Sequence, residues 1–72
     1  MSYRVGIIGC GGMGHSHAKA WGQREDTDVV AAMDISQEAA QRLAEEHSVP
    51  ATYTDYDEML AKEELDIVSI PT

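Results

Sequence analysis

The sequence predicts an α/β fold in which a parallel sheet carries helices on both faces. Two observations support this. Apolar runs of strand length alternate with segments of helical character along the chain, and the three longer runs are continuously apolar. Such runs are typical of strands that are buried on both faces. The element order β-α-β-α-β-α-β, with right-handed crossovers, favours the strand order 3-2-1-4, which is half of a doubly wound sheet.

Four segments are predicted as strands because they are rich in branched or aromatic residues and are bounded by acids, glycine or proline. They cover residues 4–9, 28–34, 51–54 and 65–70. Pro71 ends the last of them.

Three helices are predicted between these strands, and capping chemistry sets their boundaries. The first covers about residues 13–23. Ser36 is a good N-cap for the second helix, which ends before Pro50 because the residue before a proline avoids the α region. Asp55 is a good N-cap for the third, which ends near Glu63. One face of the first helix is predicted to hold His17, Ala20 and Trp21.

Composition and charge narrow the class of protein. The chain has 72 residues, of which 43% are hydrophobic and 25% charged, as expected for one small globular domain or part of a larger one. Its net charge of −8 argues against nucleic acid and anionic membranes as partners. The apolar run 29–33 is too short to span a membrane, and the N-terminus lacks the apolar region of a secretory signal. With Cys10 as the single cysteine, an internal disulfide is impossible, and a cytoplasmic location is predicted.

A glycine-rich turn follows the first predicted strand. Gly9, Gly11 and Gly14 fit the pattern G-x-G-x-x-G, with a strand before it and a helix after it, and Asp34 closes the second strand 20 residues after Gly14. Gly9 allows a sharp turn, Gly11 allows a pyrophosphate to approach the backbone, and Gly14 allows the helix to pack closely on the sheet. The pattern indicates a dinucleotide site at a helix N-terminus. A turn without a ligand is the alternative.

Asp34 bears on the choice of cofactor. Its carboxylate can accept hydrogen bonds from the adenosine ribose hydroxyls and would repel a 2′-phosphate, and the next residues, Ile35 and Ser36, supply no arginine. This favours NAD over NADP. The alternative for Asp34 is a helix N-cap, since Gln37 lies at capping-box spacing. FAD proteins share the glycine pattern, and the loop alone leaves them open.

The predicted strand order has a switch point between the first and the fourth strand. Ligands of such sheets bind beyond the carboxyl ends of the strands at this point. Those ends are Gly9 and residues 70–72, so both walls of the expected crevice are present in the chain.

Two other features of the sequence resemble a metal site and a reactive thiol. His15 and His17 are two residues apart, a spacing that does not place side chains together on a helix, so no metal site is predicted. Cys10 lies near a helix N-terminus, which can lower the pKa of a thiol. The simpler interpretation is that Cys10 fills a variable position of the glycine motif.

Four segments in order resemble the N-terminal part of the glucose-fructose oxidoreductase/inositol dehydrogenase (Gfo/Idh/MocA) family. They are YRVGIIGCGGMGHSHAKAW, VVAAMD, YTDYDEMLA and LDIVSIPT, and together with His17 and Pro71 they extend the resemblance over essentially the whole chain.

The resemblance implies an NAD(P)-dependent oxidoreductase that transfers hydride at a hydroxyl carbon of a sugar, sugar nucleotide or cyclitol, and a homo-oligomer. It decides against FAD. By position, it implies that the pyrophosphate loop is lined by Gly9, Gly11, Gly12, Met13 and Gly14. It also implies that Asp34 and Ile35 meet the ribose and that Pro71 and Thr72 border the crevice.

By the same resemblance, residues 1–72 form part of an NAD(P)-binding Rossmann domain and contain no substrate domain. The family's Glu-Lys-Pro segment and its second α/β domain lie downstream, and Lys19 and Lys62 match no catalytic position. We therefore expect no turnover from the chain alone. The alternative is a stand-alone module that binds or senses a dinucleotide. The apolar run 65–70 disfavours it, because it would leave an unprotected strand edge without an internal proline or lysine.

Overall fold

Strands and helices alternate in the predicted order. The structure, a computed structural model, describes residues 2–71. Its elements are β1 (Tyr3–Ile8), α1 (Gly12–Gly22), β2 (Thr27–Met33), α2 (Gln37–His47), β3 (Ala51–Tyr53), α3 (Tyr56–Lys62) and β4 (Ile67–Ser69).

The strands form one parallel sheet in the order β3-β2-β1-β4, which confirms the predicted half of a doubly wound sheet. β1 lies between β2 and β4. The pairing of β1 with β2 shifts between Val5 and Gly6, because Val5 lies opposite Val29 whereas Gly6 lies opposite Ala31. The extra residue, Val30, forms a bulge in β2.

Helices cover both faces of the sheet. Val5 and Ile7 of β1 are fully buried in a core cluster under α1 and α2, to which α2 contributes Ala40, Leu43 and Ala44. Ala31 of β2 is fully buried in a second cluster, under Met59 of α3. Burial on two faces explains the unbroken apolar runs within these strands, residues 5–8 of β1 and 29–33 of β2.

β4 is shorter and less buried than the sequence indicates. It spans Ile67–Ser69 and not residues 65–70, because only three of its residues pair with β1. Val68 is 37% exposed and Ile70 is 58% exposed. Within residues 2–71, β4 is an edge strand with one neighbour.

α1 packs through a different face from the one predicted. Gly14 and Ala18, one turn apart, are its buried residues, while Ala20 is exposed. Trp21 packs against the core at its margin. The face is shifted because Gly14 has no side chain to hold the helix away from the sheet. The predicted caps are confirmed, since Ser36 precedes α2, Asp55 precedes α3, and each side chain accepts a backbone N–H.

The helices are short. In the part of the chain that the structure describes, none has the length and apolar character needed to cross a membrane.

Candidate functional site

The loop between β1 and α1 begins with a backbone conformation that only glycine adopts easily. Gly9 has φ +101°, and its N–H donates to the Met33 carbonyl at 2.8 Å. This hydrogen bond ties the end of β1 to the end of β2, and the positive φ turns the chain out of the sheet towards α1.

The other glycines of the motif differ in what surrounds them. A Cβ on Gly14 would collide with the Gly9 carbonyl group. The carbonyl carbon would lie 3.1 Å from this Cβ, and the carbonyl oxygen would lie closer still. A Cβ on Gly11 or Gly12 would have no described atom within 4 Å. Gly14 therefore permits close packing of helix on strand, whereas Gly11 and Gly12 keep an open space beside the backbone.

The first turn of α1 faces this space with hydrogen-bond donors. Gly11 is the N-cap, and the N–H groups of the next three residues, Gly12, Met13 and Gly14, have no acceptor within the helix. The first turn carries no acidic residue. The helix dipole adds a partial positive charge, so this end of α1 favours an anion even though the chain is acidic overall.

The carboxylate of Asp34 holds the loop from the end of β2. Its Oδ2 accepts the N–H of Cys10 at 2.8 Å and its Oδ1 accepts the N–H of Ser36 at 2.8 Å. Ser36 is the N-cap of α2, because its side chain accepts the N–H of Ala39. The alternative interpretation of Asp34 as the N-cap of this helix is therefore wrong.

Ile35 and Pro71 lie on either side of the loop. Ile35 is 89% exposed, so its apolar side chain is available to a ligand placed against Asp34. A Cβ on Gly9 would lie 3.3 Å from the Pro71 carbonyl oxygen, which places the carboxyl ends of β1 and β4 next to each other. Thr72, the remaining predicted site residue, lies outside the described residues.

One polar contact at this edge was not predicted. His17 Nδ1 lies 2.8 Å from Ser69 Oγ, so α1 is hydrogen-bonded to the end of β4. The predicted strand order places β4 beside β1. Ser69, a polar residue in an otherwise apolar strand, is the sequence feature that could have indicated this contact. His15 points elsewhere and contacts α2. His15 and His17 therefore have separate partners, His47 and Ser69.

Cys10 is not an activated thiol. It is 2% exposed, and its Sγ lies 3.3 Å from the Met33 carbonyl oxygen. Burial, together with the nearby Asp34 carboxylate, raises the pKa of Cys10 to about 11 against the smaller opposing effect of that hydrogen bond. The idea of a depressed thiol pKa is contradicted, because desolvation outweighs the helix N-terminus here.

We expect Cys10 to react slowly with a thiol reagent in the folded chain. With a pKa of about 11, roughly one thiol in a thousand is ionised at pH 8. Reaction with 5,5′-dithiobis(2-nitrobenzoate) at pH 8 should be at least about 100-fold slower than in guanidinium chloride, and it should accelerate towards pH 11 as the thiolate forms. Equal rates in the folded and the unfolded chain would contradict this assignment.

A concavity lies at the other end of the strands, away from the glycine loop. It has a volume of about 560 Å³ and is lined by the first half of β2, by Lys19 of α1 and by His47 at the end of α2. The glycine loop is the candidate site instead, because it combines N–H donors that have no acceptor within α1, an open backbone and a fixed carboxylate. A dinucleotide fits this set. The N–H groups match its phosphates and the carboxylate matches its ribose hydroxyls.

The chain is similar to known oxidoreductases. The GFO_IDH_MocA family model, described as an oxidoreductase family with an NAD-binding Rossmann fold, matches residues 3–72. D-apiose dehydrogenase from Paraburkholderia graminis is 30% identical over 70 residues, which cover 97% of this chain and 19% of that protein.

Solved structures of dehydrogenases are also similar to this chain. Myo-inositol dehydrogenase from Lactobacillus casei, in complex with NAD(H) and myo-inositol, is 30% identical with a TM-score of 0.85, over 100% of this chain and 22% of that one. Myo-inositol dehydrogenase from Corynebacterium glutamicum is 32% identical with a TM-score of 0.85, over 100% of this chain and 21% of that one. The chain thus spans about a fifth of the length of these relatives. It belongs to the Gfo/Idh/MocA oxidoreductase family and has that family's NAD-binding Rossmann fold.

Proposed function

We propose that residues 1–72 form the adenosine-side part of the NAD-binding domain of a dehydrogenase, and that the whole protein oxidises a hydroxyl carbon of a sugar, sugar nucleotide or cyclitol. The observation that carries the proposal is the open glycine loop at the N-terminus of α1, with Asp34 held beside it by two backbone hydrogen bonds. When bound, the nicotinamide ring supplies the hydride acceptor.

The residues of this chain bind and orient the cofactor. The N–H groups of Gly12, Met13 and Gly14 donate to the pyrophosphate, and Gly11 leaves the space through which it approaches. Asp34 keeps lone pairs free beyond its two backbone partners and accepts the ribose hydroxyls. The exposed side chain of Ile35 would supply an apolar contact beside the adenosine ribose. Gly9 and Pro71 lie next to each other and border the crevice, and we assign Thr72 to the same border by its position in the sequence alone.

The polyol substrate is inferred from the relatives. D-apiose dehydrogenase and the myo-inositol dehydrogenases match nearly the whole chain, and one of them was crystallised with NAD(H) and myo-inositol. The edge position of β4 also favours a part of an enzyme over a stand-alone module. Within residues 2–71 the strand has one neighbour, and both Val68 in it and Ile70 directly after it are exposed. A cytoplasmic location and a homo-oligomer remain predictions from the sequence.

Titration with parts of the cofactor tests the assignment. If the chain contacts only the adenosine side of the cofactor, ADP-ribose and NAD make the same contacts with it. Their dissociation constants for the 72-residue chain should then agree within about threefold. Nicotinamide mononucleotide should not bind measurably, and myo-inositol with NAD should give no NADH. Tighter binding of nicotinamide mononucleotide than of ADP-ribose, or turnover by this chain, would overturn the proposal.

Asp34 is expected to set a preference for NAD over NADP. The carboxylate repels the 2′-phosphate, so the wild-type chain should bind NAD at least about tenfold more tightly than NADP, a difference of about 1.4 kcal/mol. Asp34→Asn removes the charge and should reduce this ratio to near one. Calorimetric titration of both cofactors measures it.

The ratio is the useful quantity, because Asp34→Asn also places an amide group against a backbone N–H and weakens the loop for both cofactors equally. Asp28→Asn is the matched control. Asp28 is an exposed acid at the other end of β2, so its loss removes the same charge and should leave the ratio unchanged. An unchanged ratio in Asp34→Asn would show that another group selects the cofactor.

A further inference from the structure

Two imidazoles and a carboxylate converge where the start of α1 meets the end of α2. They belong to His15, in the first turns of α1, and to Glu46 and His47, the last two residues of α2. One ligand atom from each residue lies within 4.8 Å of the other two. His15 directly follows Gly14 in the chain, but the proposed dinucleotide site uses none of these three side chains.

The spacing of the three atoms suits a single ion. His15 Nδ1 lies 2.8 Å from Glu46 Oε2 and 3.2 Å from His47 Nε2. His47 Nε2 lies 4.0 Å from Glu46 Oε2. A tetrahedral ion with metal–ligand bonds of about 2.0–2.2 Å separates its ligand atoms by about 3.4 Å. The observed distances lie on both sides of this value. The ring centroids are 5.2 Å apart and the ring planes are inclined at 57°, so the two imidazoles are not stacked face to face.

The kind of ion follows from the ligands and their surroundings. Neutral imidazole with one carboxylate suits zinc, nickel, cobalt or copper, whereas calcium and magnesium prefer oxygen ligands alone. The side chains of His15 and His47 are 25% and 20% exposed, so they are partly held by packing. The side chain of Glu46 is 61% exposed, which leaves a path from solvent and a coordination position for water. The net charge of −8 attracts cations to the whole surface.

We propose that His15, Glu46 and His47 form a binding site for a divalent transition-metal ion that joins α1 to α2. Binding of the ion displaces the proton that takes part in the hydrogen bonds of His15 Nδ1, and this proton is released to solvent. Because His15 directly follows Gly14, the ion also anchors the first turns of α1. Sequence spacing did not show the site, since 32 residues separate His15 from His47 and only the packing of two helices brings them together.

Titration with cobalt(II) and zinc(II) tests the site. The full chain should bind one equivalent of Co²⁺, and the visible bands of the bound ion should have the intensity of four- or five-coordinate cobalt. Zn²⁺ should displace it and raise the melting temperature. In ¹H–¹⁵N spectra of the imidazoles, Zn²⁺ should shift the nitrogens of His15 and His47 and leave those of His17 in place.

Matched variants separate a site from general attraction to an acidic surface. His15→Ala and His47→Ala should each weaken Co²⁺ binding by more than about tenfold, the smallest loss expected when a metal site loses a supporting group. His17→Ala removes a histidine outside the cluster, and Glu45→Gln removes an exposed acid beside it, and both should bind as the wild type does. Equal weakening by His15→Ala and His17→Ala, or six-coordinate spectra of weakly bound cobalt in the wild type, would overturn the proposal.

Discussion

The Gly14→Ala variant is expected to lose about 3 kcal/mol or more of its free energy of unfolding, the upper part of the range for an overpacked position. The added methyl group would overlap the Gly9 carbonyl group, whose carbon is 3.1 Å from the Cβ position, and would also reach Leu43 at 3.4 Å. The Gly9 carbonyl cannot move aside easily, because it belongs to the backbone at the turn out of β1. To make room, α1 would have to move away from the sheet.

The loss would be a large part of the total stability, since a domain of this size has only about 4–11 kcal/mol. Urea unfolding followed by circular dichroism measures it. Gly22→Ala is the matched control, because Gly22 lies at the other end of α1 and a Cβ there would have no described atom within 4 Å. Alanine at this position should be neutral or stabilising by up to about 1 kcal/mol. Equal midpoints for the Gly14 and Gly22 variants would show that close packing at Gly14 is unimportant.

The Gly11→Val variant is expected to bind ADP-ribose at least about 100-fold more weakly, a loss of about 2.7 kcal/mol, while remaining folded. Gly11 has φ −79° and ψ −160°, a conformation open to any residue, and the space beside it is empty of described atoms. A branched side chain would occupy the volume proposed for the pyrophosphate. Because valine is a less suitable N-cap than glycine, the substitution should lower the free energy of unfolding by about 1 kcal/mol.

Gly22→Val adds the same side chain in open space far from the loop, so it should leave the affinity for ADP-ribose unchanged. Calorimetric titration of both variants compares them under one set of conditions. The proposed cofactor site would be wrong if Gly11→Val bound ADP-ribose as tightly as Gly22→Val does. Because Gly14→Ala acts on folding and Gly11→Val on binding, the two glycine variants separate the structural from the functional part of the motif.

The elements of the fold and the glycine loop could be predicted because they depend on residues close together in the chain, and the strand order could be predicted because crossovers are right-handed. Apolar runs and caps such as Ser36 and Asp55 locate the elements. Right-handed crossovers then leave few strand orders, and the observed one is among them. The glycine spacing places Gly9 at a positive φ and Gly14 against the strand. These are consequences of local sterics and hydrogen bonding, which the sequence carries by itself.

Only the tertiary structure decided what depends on contacts between distant residues. The pKa of Cys10 is raised and not lowered, because its thiol is buried beside Asp34, 24 positions away. The face that α1 buries follows from how close Gly14 lets it approach the sheet. The convergence of His15 with His47 follows from the packing of α1 on α2. Burial and side-chain proximity arise only when the elements pack, whereas the spacing of residues along the chain determines the elements themselves.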